Sequence, residues 1–245
     1  MKVIATILFI FEISFLSAQI PSGEEILKKI DSNLSSENRL FESTMIIHGR
    51  RITRTVKSKT WTTGETKSFT EYLFPVREEG TKMLKLDDQL WIYSPSTDRT
   101  IQIAGHMLRQ SVMGSDMSYE DLMEDNSLLD HYKAEVEGSE KIGDRDCWIV
   151  KLTAFDPNVT YQGKKQWVDK IRFIPLKEEL FAKSGTLLKR TELSDVENIN
   201  GRWFPKKIVF KDMLKDGEGT EFIMEKIEFN IEIPDYIFSK ASLKQ

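Results

Sequence analysis

The stretch LWIYSPSTDRTIQIAGHMLRQSVMGSDMSYEDL, residues 90–122, decides the fold because it joins a strand to an unusual loop. Side chains alternate between the two faces of a strand, so Leu90 and Ile92 share one face and Trp91 and Tyr93 share the other. Both faces are apolar, which means that one of them could line a cavity. A polar segment follows that carries four of the nine methionines of the chain, namely Met107, Met113, Met117 and Met123.

This methionine segment has two interpretations. Methionine is flexible and polarizable, so it suits a surface that accepts variable apolar ligands. Methionines also fill small cores beneath ordinary loops. Under the first interpretation these four residues and Tyr119 form a lid. The aromatic residues of the predicted strands carry a similar choice between core packing and a cavity wall, and the wall candidates are Trp61, Phe69, Trp91, Tyr93, Trp148 and Trp167.

Outside this stretch the sequence predicts one clear helix and then mostly strands. In SGEEILKKIDSNL, Ser22 and Glu25 form a capping box, and apolar residues recur at helical spacing behind it. From residue 40 the period changes to two, so that Phe41, Met45 and Ile47 share one face of a strand. The pattern favours a mainly β (α+β) domain whose helix packs on an antiparallel sheet.

Turn signals divide the rest of the chain into about ten or eleven antiparallel strands. They are Thr63-Gly64, Asp87-Asp88, Ser96-Thr97-Asp98, Gly143-Asp144, Gln162-Gly163, Ser184-Gly185, Asn200-Gly201 and Asp216-Gly217. A short helix is also predicted where Ser118 precedes Asp121 by three residues.

The N-terminus is typical of a secreted protein. Lys2 precedes an apolar run that ends in the small residues Ser17 and Ala18, so residues 1–18 are predicted to be a cleaved signal peptide. We expect residues 19–245 to form a single domain, because no repeat, low-complexity tract or linker divides them. Cys147 is the only cysteine, which excludes a disulfide within one chain.

The charge distribution argues against a nucleic-acid partner. The net charge is −4, and nucleic-acid-binding domains are usually basic. One stretch, HGRRITRTVKSK, is basic and contains no acid. It could attract anionic lipid head groups or an acidic partner, or its charges could protect an exposed edge strand from pairing. Its cations are Arg50, Arg51, Arg54, Lys57 and Lys59.

Catalytic and metal-binding signals are weak. The sequence contains none of the motifs GxSxG, GxGxxG or HExxH, and its three histidines lack the close paired spacing of a metal site. His106, Ser115 and Asp116 have the residue types of a hydrolytic triad, but neighbours in one loop are rarely arranged in the required order. We therefore expect a protein that is not an enzyme and uses no cofactor and no metal.

The opening stretch resembles the outer-membrane lipoprotein-sorting proteins of the periplasmic lipoprotein-carrier superfamily, which is LolA/LolB-like. The segments QWVDKIRFIPLKEELFAKSGTLLKR, NGRWFPKKIVFKDM and IPDYIFSKASL resemble the later strands of that family. The matching positions of the opening stretch are Trp91, Tyr93, Arg99, Met113, Gly114, Ser115, Asp116, Ser118, Tyr119, Glu120 and Asp121.

The resemblance implies an unclosed antiparallel half-barrel with helices over its concave face and an apolar cavity between them. It places Trp91 and Tyr93 in the wall of the sheet, and Met113 and Tyr119 in the cover. In such a carrier the acids of the cover either keep it soluble or pair with arginines to latch it. The candidate latch residues are Arg99, Arg109, Asp116, Glu120 and Asp121.

The favoured function is that of a periplasmic carrier that holds acylated lipids or lipoproteins for transfer toward the outer membrane. Its expected partners are the acylated cargo and an inner-membrane exporter or outer-membrane acceptor, and the expected state is a monomer. The alternative is a non-enzymatic interaction module of an envelope export or assembly machine, which would bind a protein at its sheet edge or its basic hairpin. A hydrolase that uses Ser115 ranks last.

Overall fold

The computed structural model describes residues 20–49, 51–124 and 127–245. The predicted signal peptide, residues 1–18, and Arg50 lie outside these ranges. Within them no helix is long and apolar enough to span a membrane. The helices are α1 (Gly23–Leu34) and α2 (Tyr119–Met123), with short 3₁₀ turns at Gly105–Arg109, Val112–Gly114, Leu128–Asp130, Asp235–Phe238 and Lys240–Lys244.

The described residues form thirteen strands in one antiparallel sheet, more than the predicted ten or eleven. Some connections lack a turn signal: the chain turns after residue 169 through Phe173 at a φ of 53°, with no glycine, asparagine or proline in between. The strands are β1 (Asn38–His48), β2 (Thr53–Thr63), β3 (Lys67–Phe74), β4 (Lys82–Leu86), β5 (Gln89–Ser94), β6 (Arg99–Ile103), β7 (Tyr132–Ile142), β8 (Arg145–Ala154), β9 (Gly163–Asp169), β10 (Pro175–Phe181), β11 (Leu187–Ile199), β12 (Arg202–Asp212) and β13 (Gly219–Phe229).

The strand order explains why the sheet stays open. It runs β6-β5-β4-β3-β2-β1-β13-β12-β11-β10-β9-β8-β7. The last strand therefore returns to pair with the first, and β6 and β7 become the two edges. Because β6 and β7 are consecutive in sequence but lie at opposite edges, the chain between them must run from one edge of the sheet to the other.

Helix α1 begins at the predicted capping box, in which Ser22 and Glu25 bond each other's backbone amides. Ile26, Leu27 and Ile30 of its apolar stripe are buried in one cluster with residues of β7, β8 and β9. A Cβ on Gly23 would lie 2.4 Å from the carbonyl oxygen of Ala134, so only glycine permits this close approach to β7. The other end of α1 reaches β12, where the Asn33 side chain accepts a hydrogen bond from the Trp203 amide at 3.1 Å. One helix thus contacts strands five places apart in the sheet, which requires the sheet to curve around it.

Residues 104–124, which we call the crossing segment, leave the β6 edge and pack on the same face as α1. They include α2, which begins at the predicted capping box of Ser118 and Asp121. Apolar side chains of this segment pack against a buried cluster that β1 to β6 contribute, including Met45, Val56 and Met83. The short helix was predicted; its path across the sheet follows from the strand order.

The opposite face of β2 to β5 is covered by the C-terminal 3₁₀ turns. Phe238 and Leu243 pack there with Phe69, Leu84 and Trp91, all of which are buried. This part of the sheet therefore has a cover on each face, and the two covers come from different parts of the chain.

Candidate functional site

Two cavities of about 260 and 400 Å³ lie between the sheet and the crossing segment. They meet beneath this segment, because they share several lining residues: Arg39, Phe41, Met117, Asp121, Leu122, Glu124 and Phe222. We call the combined space the central cavity. It is the candidate site because its lining joins large apolar side chains to a few ionic groups.

Small hydroxyl side chains on β1 to β3 leave room for the central cavity. Ser43 and Ser58 lie opposite each other and are hydrogen-bonded at 2.9 Å, and Thr60 and Thr70 are bonded at 3.0 Å. In each pair one hydroxyl donates and the other accepts, so each side chain has a hydrogen-bond partner within the sheet. The surrounding lining is apolar and includes Met45, Val56, Tyr72, Met83, Leu90 and Phe222.

An ionic cluster joins the crossing segment to β11. Asp121 pairs with Lys189, and Lys189 also donates to the Ser118 hydroxyl at 3.2 Å. Tyr161 donates its hydroxyl hydrogen to Asp121 Oδ1 at 2.5 Å. Burial raises the pKa of Tyr161, and the charge of Asp121 raises it further, so this phenol stays a neutral donor. Asp121 is thereby held by a cation and a hydroxyl from outside the crossing segment.

A second ion pair lies beside the first. Lys164 on β9 contacts Glu124 at 3.0 Å and stands 4.9 Å from the ring centre of Tyr132. Burial raises the pKa of Glu124, although Lys164 opposes this effect. One carboxylate oxygen of Glu124 is buried with no hydrogen-bond partner in the described part of the chain. Together the two pairs fasten the end of the crossing segment to the far half of the sheet.

The acids proposed for a latch take partners other than the proposed arginines. Asp116 accepts hydrogen bonds from the Thr220 hydroxyl at 2.8 Å and the Asp212 amide at 3.0 Å. Arg99 and Arg109 are exposed and form no ion pair with an acid that the structure describes. Glu120 contributes a charge that raises the pKa of Tyr161. The reason is topological, because the crossing segment carries its acids away from the β6 edge, where Arg99 lies.

None of the six aromatic residues proposed for the wall lines the central cavity. Trp61, Phe69, Trp91 and Tyr93 project from the other face of the sheet, where they pack against the C-terminal turns. Trp91 lies under Lys240, whose Nζ is 4.0 Å from the ring centre. In β5 it is Leu90 that lines the cavity. The apolar alternation of β5 was visible in the sequence, but nothing in the sequence distinguished its two faces.

The other two tryptophans belong to the far half of the sheet. Trp148 shares a face with Val150 and packs beside the α1 cluster, under Lys170 at 4.1 Å. Trp167 projects from the opposite face and donates its indole hydrogen to Glu140 at 2.6 Å. Both are therefore packing residues. The cavity residues that sequence reasoning missed are other apolar ones, both aliphatic and aromatic, and the buried lysines Lys164 and Lys189.

The proposed lid residues all lie in the crossing segment. Met117 lines both parts of the central cavity. Met107, Tyr119 and Met123 are partly buried against the cluster of β1 to β6, and so is Met113. The carbonyl of Met113 accepts a hydrogen bond from Arg54 at 3.1 Å. Leu122, which was not proposed, also lines both parts of the cavity.

The basic stretch divides between two places. Arg51 and Arg54 are exposed at the hairpin between β1 and β2, whereas Lys57 and Lys59 lie along the outer face of β2. Lys59 stands 5.1 Å from the ring centre of Trp61. These four cations do not form a single patch.

The residues considered for catalysis make other contacts. Ser115 is buried and donates its hydroxyl hydrogen to the Met117 carbonyl at 3.3 Å. Asp116 bonds to β12 and β13, as described above, and His106 is exposed. Burial raises the pKa of the Cys147 thiol to about 11, so that it stays protonated at neutral pH. The described residues hold no group of three or more His, Cys, Asp or Glu side chains placed to bind a metal.

Comparisons with solved structures show the same fold elsewhere. A DUF1329 family protein from Desulfovibrio piger aligns with a TM-score of 0.82 and 24% identity, over 90% of this chain and 97% of its own. A putative outer membrane lipoprotein-sorting protein domain from Vibrio parahaemolyticus aligns with a TM-score of 0.79 and 22% identity, over 91% and 98%. A LolA superfamily protein from Nitrosomonas europaea aligns with a TM-score of 0.75 and 25% identity, over 91% and 100%.

No curated protein matches the sequence. Residues 64–245 match a family model whose description is "uncharacterized protein". The resemblance to lipoprotein-sorting proteins, first seen in residues 90–122, is confirmed by the fold that the three solved structures share with this chain. The chain therefore belongs to the family that this model describes, and it has the open antiparallel fold of the LolA superfamily.

Proposed function

We propose that the protein is a non-enzymatic periplasmic carrier that binds the acyl chains of lipids or lipoproteins in the central cavity. The observation that carries the proposal is a largely apolar space between an open sheet and the crossing segment, which apolar packing on β1 to β6 and ion pairs to β9 and β11 hold in place. Burial of about ten methylenes at roughly 0.8 kcal/mol each would contribute on the order of 8 kcal/mol to binding. That free energy is enough to keep a lipid out of water and still permit release.

Residues 19–245 act in this proposal as one domain that is released by removal of residues 1–18. The wall consists of the cavity-facing side chains of β1 to β5 and of β9 to β13, and the cover consists of α1 and the crossing segment. Transfer to an outer-membrane acceptor requires that the cover open, and a bound lipid can shift that equilibrium only through its different affinity for the open and closed states. The name of the Vibrio parahaemolyticus structure, a putative outer membrane lipoprotein-sorting protein domain, agrees with transfer toward that membrane.

The test is native mass spectrometry on protein purified from a periplasm without detergent, followed by organic extraction and lipid analysis. We expect stoichiometric lipid in the wild type and little in Leu122→Asp, which places a charge inside the cavity. The matched control is Leu214→Asp, because Leu214 is 70% exposed in the turn between β12 and β13 and is not among the residues that line the cavity. Protein that carries no lipid and takes up no fluorescent acyl probe would contradict the proposal.

A second candidate function rests on the open edge of the sheet. Four of the five residues of β6 are exposed, and the strand has a neighbour on one side only. An extended peptide from an envelope protein could add to this edge by β-augmentation. Substitution of proline for Thr100 would block such pairing. This function would be favoured if a partner copurifies with the wild type but not with Thr100→Pro, and if the cavity of the wild type is empty.

A further inference from the structure

Arg39 is a cation of the central cavity that has a buried donor without a hydrogen-bond partner among the described residues. It shares the cavity-facing side of β1 with Phe41 and lines both parts of the cavity. Its guanidinium carbon lies 5.6 and 5.7 Å from the ring centres of Phe41 and Phe204. Its Nε is buried and has no hydrogen-bond partner in the described part of the chain. A buried charged donor without an acceptor is costly, so a ligand that supplies an acceptor here would gain binding free energy.

The side chains beside Arg39 make one end of the cavity polar. The register places Arg39 opposite Thr62, Thr62 opposite Ser68, and Ser68 opposite Lys85, so that these four form a row across β1 to β4. All four line the cavity. The amino group of Lys85 donates to the Glu65 carbonyl at 3.0 Å. The carboxylate of Glu65 raises the pKa of Arg39, whereas burial, the larger effect, lowers it.

The opposite end of the same cavity is apolar. Six residues further along β1 lies Met45, which faces Val56 on β2. At about 3.3 Å per residue, Arg39 and Met45 stand about 20 Å apart along the strand. The hydroxyl pairs Thr60–Thr70 and Ser43–Ser58 form the floor between these ends. A molecule that fits this cavity along its length would therefore be polar at one end and apolar at the other.

The polar end carries a net positive charge, because three cations, Arg39, Lys67 and Lys85, line it together with one acid, Glu65. This charge favours an anionic ligand. The acids of the cavity ceiling, Asp121 and Glu124, already have cationic partners in Lys189 and Lys164. Arg39 makes contacts with two aromatic rings instead of a salt bridge. Its planar guanidinium can donate two parallel hydrogen bonds to a carboxylate or a phosphate.

We propose that Arg39 binds the anionic head group, a carboxylate or a phosphate, of a single-chain amphiphile whose acyl chain runs toward Met45. This inference rests on the proposed function, since it specifies one ligand class of the same cavity. It assigns the two ends of the ligand: the anion lies at the start of β1, and the chain end lies under the crossing segment.

The experiment is isothermal titration calorimetry of the purified protein with four amphiphiles that share a dodecyl chain: dodecanoate, dodecyl phosphate, dodecanol and dodecyltrimethylammonium. We expect the wild type to bind the two anions at least about tenfold more tightly than the alcohol and the cation, as one charge-assisted hydrogen bond would provide. The anion that binds more tightly shows whether the head group is a carboxylate or a phosphate. Arg39→Gln should bind all four alike.

Two further variants keep the test decisive. Lys57→Gln removes the same charge from the outer face of β2, so it should keep the wild-type preference. Arg39→Lys retains the charge without the planar donors, so it should keep only part of the preference for anions. It replaces Arg39→Gln in the test if Arg39→Gln does not fold. Equal binding of the four amphiphiles by the wild type, or an unchanged preference in a folded Arg39 variant, would overturn the inference and leave the carrier proposal intact. Failure to bind any of the four would overturn both.

Discussion

The two faces of β5 have similar apolarity in the sequence and different roles in the molecule. Leu90 faces the central cavity, whereas Trp91 faces the C-terminal turns and is 6% exposed. On the outer face a large aromatic side chain meets a fixed partner and fills the space. On the inner face smaller side chains meet a segment that leaves the space open. Side-chain size alone is therefore a poor guide to the ligand site, because large aromatic residues such as Tyr72 and Phe222 also line the cavity.

The ion pairs on the outer and inner faces of the sheet also differ in what they hold together. On the outer side, Asp169 accepts two hydrogen bonds from Arg145, at 2.7 and 3.0 Å, and two more from backbone amides of the following turn. On the inner side, Asp121 and Lys189 join the crossing segment to β11. The first pair stabilises one turn, whereas the second holds the cover over the cavity.

The largest effect should come from removing packing on the outer face. Trp91→Ala should lower the free energy of unfolding by about 3–5 kcal/mol, because the C-terminal turns cannot collapse into the space. Folded Trp91→Ala should still take up a fluorescent acyl probe with wild-type affinity. Urea titration and probe binding of Trp91→Ala, each compared with the same measurement on Leu90→Ala, test these two expectations. A folded Trp91→Ala variant that loses the probe would place the ligand on the outer face.

A somewhat smaller effect is expected from breaking the inner ion pair. Lys189→Met leaves the Asp121 carboxylate without its cation and should cost about 3 kcal/mol. Hydrogen exchange should become faster for amides of the crossing segment than for those of β8. The double variant Lys189→Met with Asp121→Asn should recover much of the loss. Uniformly faster exchange throughout the chain would mean that the pair supports the whole fold and not the cover.

The outer ion pair should show itself in the pH dependence of stability. Burial alone would raise the pKa of Asp169, but Arg145 and the amides of Arg172 and Ile171 lower it below its usual 3.8. Its contribution to stability is therefore complete above that value and is lost as pH falls through the lowered pKa. Asp169→Asn should cost about 2 kcal/mol at neutral pH, and its unfolding free energy should decline less between pH 5 and about pH 2. Equal declines of the unfolding free energy in the wild type and in Asp169→Asn would show that Asp169 does not cause the pH dependence of stability.

The smallest effect should come from the cavity floor. Ser43→Ala leaves the Ser58 hydroxyl without its partner and should cost about 1 kcal/mol, whereas the double variant Ser43→Ala with Ser58→Ala should be nearly neutral. A thermal-unfolding cycle of the four proteins measures the coupling. Additive costs would show that the two hydroxyls do not depend on each other.

Local sequence predicted the features that depend on residues within a few positions of one another. Both capping boxes formed as predicted, since a Ser and an acid three residues later need only each other. The alternation of Phe41, Met45 and Ile47 placed these residues on one buried face. The turn pattern gave a mainly β protein but undercounted its strands, because a turn such as that at Phe173 is stabilised by the carboxylate of Asp169 and has no composition of its own.

The sequence by itself thus determined the two helices, most of the strands and the apolar character of both faces of β5, since these follow from local hydrogen bonding and side-chain alternation. Only the tertiary structure decided which face became the cavity. That choice depends on where two distant segments pack: the crossing segment, drawn over one face because β6 and β7 lie at opposite edges, and the C-terminal turns on the other. The partner of Asp121 is likewise 68 residues away, so no local pattern could indicate it.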